Sequence, residues 1–323
     1  MSYLLSVQDL SVEFIQRRQT LKALDRISFD LSGGEVLGFV GESGAGKSLT
    51  GAAIIGLLEP PGRISGGAIY LDGNPVSSDM RDVRGSQIGM IFQDPLTSLN
   101  PLRTIGDQLI ETIKFHHHIS SDDALRRAHN LLQDVGIDPS RISSYPHEFS
   151  GGMRQRVVIA LALAPEPKLI IADEPTTALD VSIQAQILKL LRQLCKNRGA
   201  SVILITHDMG IIAETTDRVA VLYAGRMVEI GQTNDVIKNP RHPYTKGLMA
   251  STPNINKVSF ETVLPQIKGN MPSLAILPAG CRFHPRCKDA LIQCKTISPD
   301  FQNCLLYTSD AADEGLGVDL GGR

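Results

Sequence analysis

Residues 41–48, GESGAGKS, fill the pattern G-x-x-x-x-G-K-[ST] with Gly41, Gly46, Lys47 and Ser48. Glycines let the backbone curl so that its N–H groups point inward, a nest for anions that feeds the positive end of the following helix. Lys47 would reach the terminal phosphates of a nucleoside triphosphate, and Ser48 would set its hydroxyl on Mg²⁺. Ser43, Gly44, Ala45 and Leu49 complete the candidate nucleotide-binding set. Further along, the apolar run KLIIA ends in the acid pair Asp173–Glu174. Asp173 would hold Mg²⁺ through water, and Glu174 would polarise the attacking water. Gln93 in IFQD supplies an amide that can ligand Mg²⁺, and His207 in ITHD can donate to a γ-phosphate. Ser150, Gly151 and Gly152 precede an apolar-rich helical pattern, a second helix N-terminus suited to phosphate.

These groups need a common frame. VLGFV before the glycine turn reads as a buried strand, and strands ending near 40, 93, 173 and 207 each deliver a polar group. Their ends must converge on one edge of a mostly parallel sheet, which predicts an α/β fold with the ligand at that edge. Residues 4–14 and 21–31 alternate like half-exposed strands and predict an antiparallel flap beside the loop, with 66–73 and 86–94 as two further strands. Phe14, on the flap, is a candidate for stacking on the nucleotide base, with a core aromatic as the plain alternative. From 94 to about 165 helical spacing takes over, an inserted helical subdomain in which His116, His117 and His118 fall in an exposed loop between helices.

Composition sets bounds. The 323 residues are 42% hydrophobic and 20% charged, enough for a real core. With 32 basic against 34 acidic side chains, the formal charge of −2 carries no bulk footprint for DNA or RNA, so no nucleic-acid partner is expected. The longest apolar run, VVIALALA at 157–164, is far short of the ~18 residues a membrane span takes. The N-terminal residues lack the basic and apolar regions of a secretory signal, which predicts a cytoplasmic chain whose membrane partners do the spanning. Four of five cysteines, Cys281, Cys287, Cys294 and Cys304, crowd into the C-terminal part; in a reducing compartment that suggests metal before disulfides.

Taken together, GESGAGKS, Gln93, FSGGMRQR, LIIADEP, TALD and ITHD resemble the ATP-binding-cassette ATPases over roughly residues 4–235. The resemblance implies a P-loop NTPase core with antiparallel β flap and helical subdomain, using ATP and Mg²⁺. It makes FSGGMRQR the signature, through which Ser150, Gly151, Gly152 and Gln155 would meet nucleotide on a second subunit, with Asp180 at the dimer seam. The geometry agrees, since two helix-N-terminal phosphate sites on one chain can share a nucleotide only between subunits.

A narrower resemblance, carried by IFQDPLTSLNPLRTIGDQL, NPRHPYTKGLMASTP and LPAGCRFHPRC, is to the ATPase subunits of dipeptide, oligopeptide and nickel importers. It implies a second ATPase subunit, two transmembrane permease subunits, an extracytoplasmic solute-binding protein, and a peripheral place on the cytoplasmic face of the membrane. A soluble ATPase of the same class acting on nucleic acid or the ribosome is the competing reading. Residues 1–235 are the expected nucleotide-binding domain and 236–303 a C-terminal extension. In some members of that group the extension carries a [4Fe–4S] cluster, and Cys281, Cys287 and Cys294 match its first three ligands; zinc with His284 is the alternative. Residues 304–323 resemble a translated sequencing adapter, which would make Cys304 foreign; the expectation is then that this chain binds no intact four-cysteine cluster, whereas a full-length product with its own fourth cysteine would.

Overall fold

The computed structural model describes residues 3–17, 19–76, 80–177, 179–252 and 265–299; the cysteine at 304 and the adapter-like tail lie outside them. Among the described residues the strands are β1 (Leu5–Ile15), β2 (Thr20–Leu31), β3 (Val36–Val40), β4 (Gly62–Leu71), β5 (Asn74–Pro75), β6 (Ile88–Ile91), β7 (Leu169–Asp173), β8 (Ser201–Ile205), β9 (Arg218–Tyr223) and β10 (Arg226–Gln232). Nine α-helices are α1 (Lys47–Ile54), α2 (Pro95–Ser98), α3 (Ile105–His117), α4 (Ser121–Asp134), α5 (Gly151–Leu163), α6 (Val181–Arg198), α7 (Met209–Thr215), α8 (Thr233–Lys238) and α9 (Pro243–Ser251), counted among the described residues.

The strands form two sheets. One is the antiparallel flap, in order β2-β1-β4-β5. The other runs β10-β9-β3-β8-β7-β6 and is parallel except for β10 against β9. Its central strands are apolar on both faces because both are covered, and the two-residue period of a strand divides their side chains between two cores. Ile170, Ala172, Val202 and Leu204 join the helical subdomain's core, whereas Leu169, Ile171, Ile203 and Ile205 join the core under the flap. A third core, containing Val219, Val221, Tyr223, Tyr244 and Phe283, fastens the C-terminal segment to β9.

The helical subdomain follows its sequence pattern, with Thr104 capping α3 and Ser120 capping α4 through side-chain oxygens. The three histidines differ from expectation. His116 and His117 form the last turn of α3, and only His118 leaves it, with a left-handed φ of 50°. His117 Nε2 lies 3.0 Å from the carbonyl of Ala164, so tertiary contact extends the helix through residues whose polarity reads as loop. Among the described residues, no helix is long and apolar enough to cross a membrane.

Candidate active site

Register fixes the site's edge. Phe39 pairs with Ile205, Ile205 with Asp173, and Ala172 with Ile91, so the C-terminal ends of β3, β8, β7 and β6 lie side by side. One or two residues past those ends come Gly41, His207, Glu174 and Gln93.

The loop between β3 and α1 turns where only glycine fits. Gly41 has φ 152°, and a Cβ there would lie 2.3 Å from the carbonyl oxygen of Leu222. Gly46 caps α1 in a left-handed conformation, where a Cβ would strike Leu24 at 2.7 Å. The underside of the loop is anchored by the Gly225 N–H, which donates to the Ala45 carbonyl at 2.8 Å. Ser43, Gly44 and Ser48 are exposed at the mouth, while Leu49 packs its side chain into the core under the flap. Lys47 is buried, and its ammonium donates to the carbonyls of Gly41 at 2.8 Å and Glu42 at 3.1 Å. Burial lowers its pKa while Glu174, Asp173 and Glu42 oppose that shift, so an anionic ligand here meets a cation already stripped of much of its water.

Opposite the loop, the carboxylates are knotted to the other candidate groups. Ser48 Oγ donates to Asp173 Oδ1 at 2.8 Å. Burial raises the Asp173 pKa, with the neighbouring Glu174 adding to the rise against the Ser48 hydrogen bond and the charge of Lys47. Glu174 Oε2 accepts from Gln93 Nε2 at 3.2 Å and from the Thr177 hydroxyl at 2.9 Å, and its Oε1 lies 3.2 Å from His207 Nδ1. The Glu174 backbone has φ 44°, a left-handed value that strains a non-glycine residue. Its N–H donates to Ile205 O at 2.9 Å, which ties the strained residue to β8.

Thr177 is the member of this group that sequence reasoning misses. Its signal is a hydroxyl three residues after Glu174 in a turn whose backbone closes from Thr177 N–H to Glu174 O. The donor set of Ser48 hydroxyl and Asp173 carboxylate is hard oxygen, of the kind Mg²⁺ takes, with the Gln93 amide adjoining through Glu174.

The remaining candidates lie elsewhere. Phe14 sits on β1 opposite Leu21 and Gly62 and is partly buried; a Cβ at Gly62 would come within 2.9 Å of its ring. Ser150 caps α5, accepting from Met153 N–H, while Gly151 and Gly152 face Leu179 and Ile183 across the start of α6. Asp180 caps α6 through its backbone, leaving its exposed carboxylate without a capping bond. Gln155 is 1% exposed, and among the described residues its side-chain nitrogen has no hydrogen-bond partner. Helix α5 packs on α2, α3, α4, α6 and β6, whereas α1 packs on β7 and β8, so the chain keeps its two helix-N-terminal sites on different packing partners.

Three of the four C-terminal cysteines lie among the described residues, and Cys304 lies outside them. Cys281, Cys287 and Cys294 are free thiols, with Cys281 N–H donating to Cys294 O at 2.9 Å. Burial pushes the Cys287 thiol up, and the other two thiols add to that. Among the described residues no group of three or more His, Cys, Asp or Glu side chains is arranged to hold a metal ion, so these three do not make a ready-formed iron–sulfur or zinc site.

A glycine-lined phosphate loop at the edge of a parallel sheet, facing a strand that ends in two carboxylates, defines the class of P-loop nucleotide-hydrolysing proteins. Comparison with known proteins narrows the class. Residues 24–177 match the family model for ABC transporters, and residues 228–294 match that for the oligopeptide/dipeptide transporter C-terminal region. The oligopeptide transport ATP-binding protein AppD of Bacillus subtilis is 44% identical, over 97% of this chain and 100% of its own length. The dipeptide transport ATP-binding protein DppD of the same organism is 48% identical, over 93% of this chain and 91% of its own. Among solved structures, cbiO1 of Clostridium perfringens superposes with a TM-score of 0.66 at 30% identity, covering 74% of this chain and 92% of that one. The dimeric cassette MJ0796 gives 0.63 at 27% identity, covering 71% and 98%. The chain belongs to the ABC transporter family, among the ATP-binding proteins of oligopeptide and dipeptide transport.

Proposed function

We propose that this chain hydrolyses ATP to drive uptake of dipeptides or oligopeptides through membrane permeases. The observation that carries the reading is the conjunction, in one chain, of the ABC transporter match over 24–177 with the oligopeptide/dipeptide C-terminal region over 228–294. Nucleotide binding falls to residues 1–235, with the helical subdomain at about 94–165, and 236–303 form an extension. The cofactors are ATP and Mg²⁺. An iron–sulfur cluster on Cys281, Cys287 and Cys294 has no ready-made site among the described residues and no part in this reading.

The phosphates of ATP bind at the loop 41–48, where backbone N–H groups and Lys47 oppose their charge. Ser48 and Asp173 would hold Mg²⁺, with Gln93 beside them; the ion neutralises charge on the phosphate oxygens. Glu174 accepts the proton of the attacking water as the bond to the γ-phosphoryl group forms and the bond to ADP breaks. Gln93, Thr177 and His207, which hydrogen-bond or adjoin the Glu174 carboxylate, orient it. Phe14 stacks on the base.

Closure takes a second ATPase subunit, whose Ser150, Gly151, Gly152 and Gln155 complete the nucleotide site in trans while Asp180 lines the seam. The dimeric form of the MJ0796 cassette supports that arrangement by likeness. Two permease subunits and an extracytoplasmic solute-binding protein complete the assembly, and the chain sits on the cytoplasmic face.

The test is uptake of labelled di- and tripeptides into proteoliposomes that contain this chain with its ATPase partner, permease subunits and solute-binding protein. ATP-dependent uptake that is lost when the chain is omitted is expected. Equal uptake without it would contradict the proposal.

A further inference from the structure

Glu42, the second residue of the phosphate loop, is held from outside the loop at both of its remaining polar groups. Its backbone N–H donates to the Tyr244 hydroxyl at 2.8 Å, from 202 positions away in sequence. Its carboxylate accepts both terminal nitrogens of Arg286, at 2.8 and 3.1 Å, from 244 positions away. Its carbonyl already takes the Lys47 ammonium. Both outside groups are rigid. Tyr244 is fully buried, with its ring packed edge-on to Tyr223 and Phe283 at 4.7 and 5.3 Å between centroids. The Arg286 side chain is 8% exposed, and its Nε donates to Lys268 O at 3.0 Å, which fixes the plane of the fork.

The charge at Glu42 poses a problem for a loop that receives a polyphosphate. An unpaired carboxylate on the second loop residue would repel the ligand in a half-buried setting, where water screens poorly. The fork of Arg286 cancels that charge with two parallel hydrogen bonds, and the Tyr244 oxygen fixes the peptide unit that joins Gly41 to Glu42. Burial pushes the Tyr244 phenol pKa up, so the oxygen meeting that N–H stays a neutral hydroxyl.

We propose that Tyr244 and Arg286 are positioning residues for ATP: the C-terminal region reaches back to clamp Glu42 by amide and carboxylate, shaping the phosphate loop and masking its negative charge. This rests on the assignment of residues 41–48 as the phosphate site. It gives the segment 228–294 a direct part in the nucleotide cycle.

The test is a binding titration of the full chain with MgATP, MgADP and adenosine. Arg286→Gln uncovers the Glu42 carboxylate, so its effect grows with ligand charge: roughly tenfold weaker MgATP, a smaller loss for MgADP, and adenosine within about twofold of the parent. Glu42→Gln combined with Arg286→Gln removes the repulsion and restores MgATP to within about threefold. Tyr244→Phe, which keeps the ring and its packing, weakens MgATP by roughly threefold and leaves adenosine unchanged; it decides the matter if Arg286→Gln does not fold. Parent-like MgATP affinity in both single variants, equal loss for MgATP and adenosine, or no rescue in the double variant would overturn the proposal. Lys47→Ala in the same series tests the underlying assignment: parent-like MgATP affinity there would refute the phosphate loop itself rather than the clamp.

Discussion

Ser48, the first exposed hydroxyl of α1, donates to Asp173 at the end of β7 across 2.8 Å, joining the phosphate loop to the carboxylate strand over 125 residues of chain. The bond holds two hard oxygen donors together where Mg²⁺ would sit. Ser48→Ala should therefore weaken ATP binding in the presence of Mg²⁺ by about tenfold and leave metal-free ATP binding little changed, as read by nucleotide titration with and without chelator. The pH profile should move as well. Burial raises the Asp173 pKa and the Ser48 hydrogen bond opposes that rise, so deleting the hydroxyl raises it further. A metal-binding carboxylate works ionised, hence the acid limb of kcat/KM should shift to higher pH in Ser48→Ala.

The Thr177 hydroxyl donates to the Glu174 carboxylate at 2.9 Å, a contact placed to orient it. Thr177→Val keeps shape and removes the donor. The expected result is a fall in kcat of roughly tenfold with KM for ATP nearly constant, because the loss falls on the proton-accepting group and not on binding. Thr177→Ser should restore the rate; steady-state kinetics of the three proteins checks it.

The flap and the C-terminal region meet at Asp25, a buried carboxylate that receives Lys22, Arg226 and Arg282. Burial opposes its ionisation, yet the hydrogen bonds of Lys22 and Arg226 and the charges of Arg226 and Arg282 overcome burial and hold the pKa at about 2, against an ordinary 3.8. A depressed carboxylate contributes stability that is full above its unfolded pKa and is lost as pH falls toward its folded one. That contribution should disappear between about pH 4 and pH 2, seen as falling thermal midpoints. Asp25→Asn should remove this acid dependence and, by leaving Arg282 buried without its counter-ion, destabilise the chain by about 3 kcal/mol at neutral pH in denaturant melts.

Much of this was readable before the fold. The apolar strand VLGFV, the glycine turn and the helix after it are local events, and so is the strand LIIAD ending in acid; each is fixed by neighbours within a few residues. The convergence of strand ends followed from their polar termini and holds in the register that pairs Phe39, Ile205 and Asp173. What stayed hidden depends on contacts between distant segments. Thr177 looks like any turn threonine until its hydroxyl is seen on Glu174, and nothing around Tyr244 or Arg286 marks Glu42 as their partner. The histidines at 116–118 misled because polarity speaks for exposure, while the Ala164 carbonyl that receives His117 lies 47 residues away. The cysteine spacing is a local signal of another kind: among the described residues the hydrogen bond from Cys281 N–H to Cys294 O brings no ready-made ligand set with it, and Cys304 lies outside them.

The central claim is that Glu174 carries out the chemistry, and Glu174→Gln tests it most directly. The amide keeps the size of the carboxylate and loses the ability to accept the proton of water. Single-turnover hydrolysis of MgATP by parent and variant should differ by about 10²–10⁴-fold, while a parallel titration gives MgATP affinity within about threefold of the parent. Hydrolysis by Glu174→Gln at a near-parental rate would contradict the account.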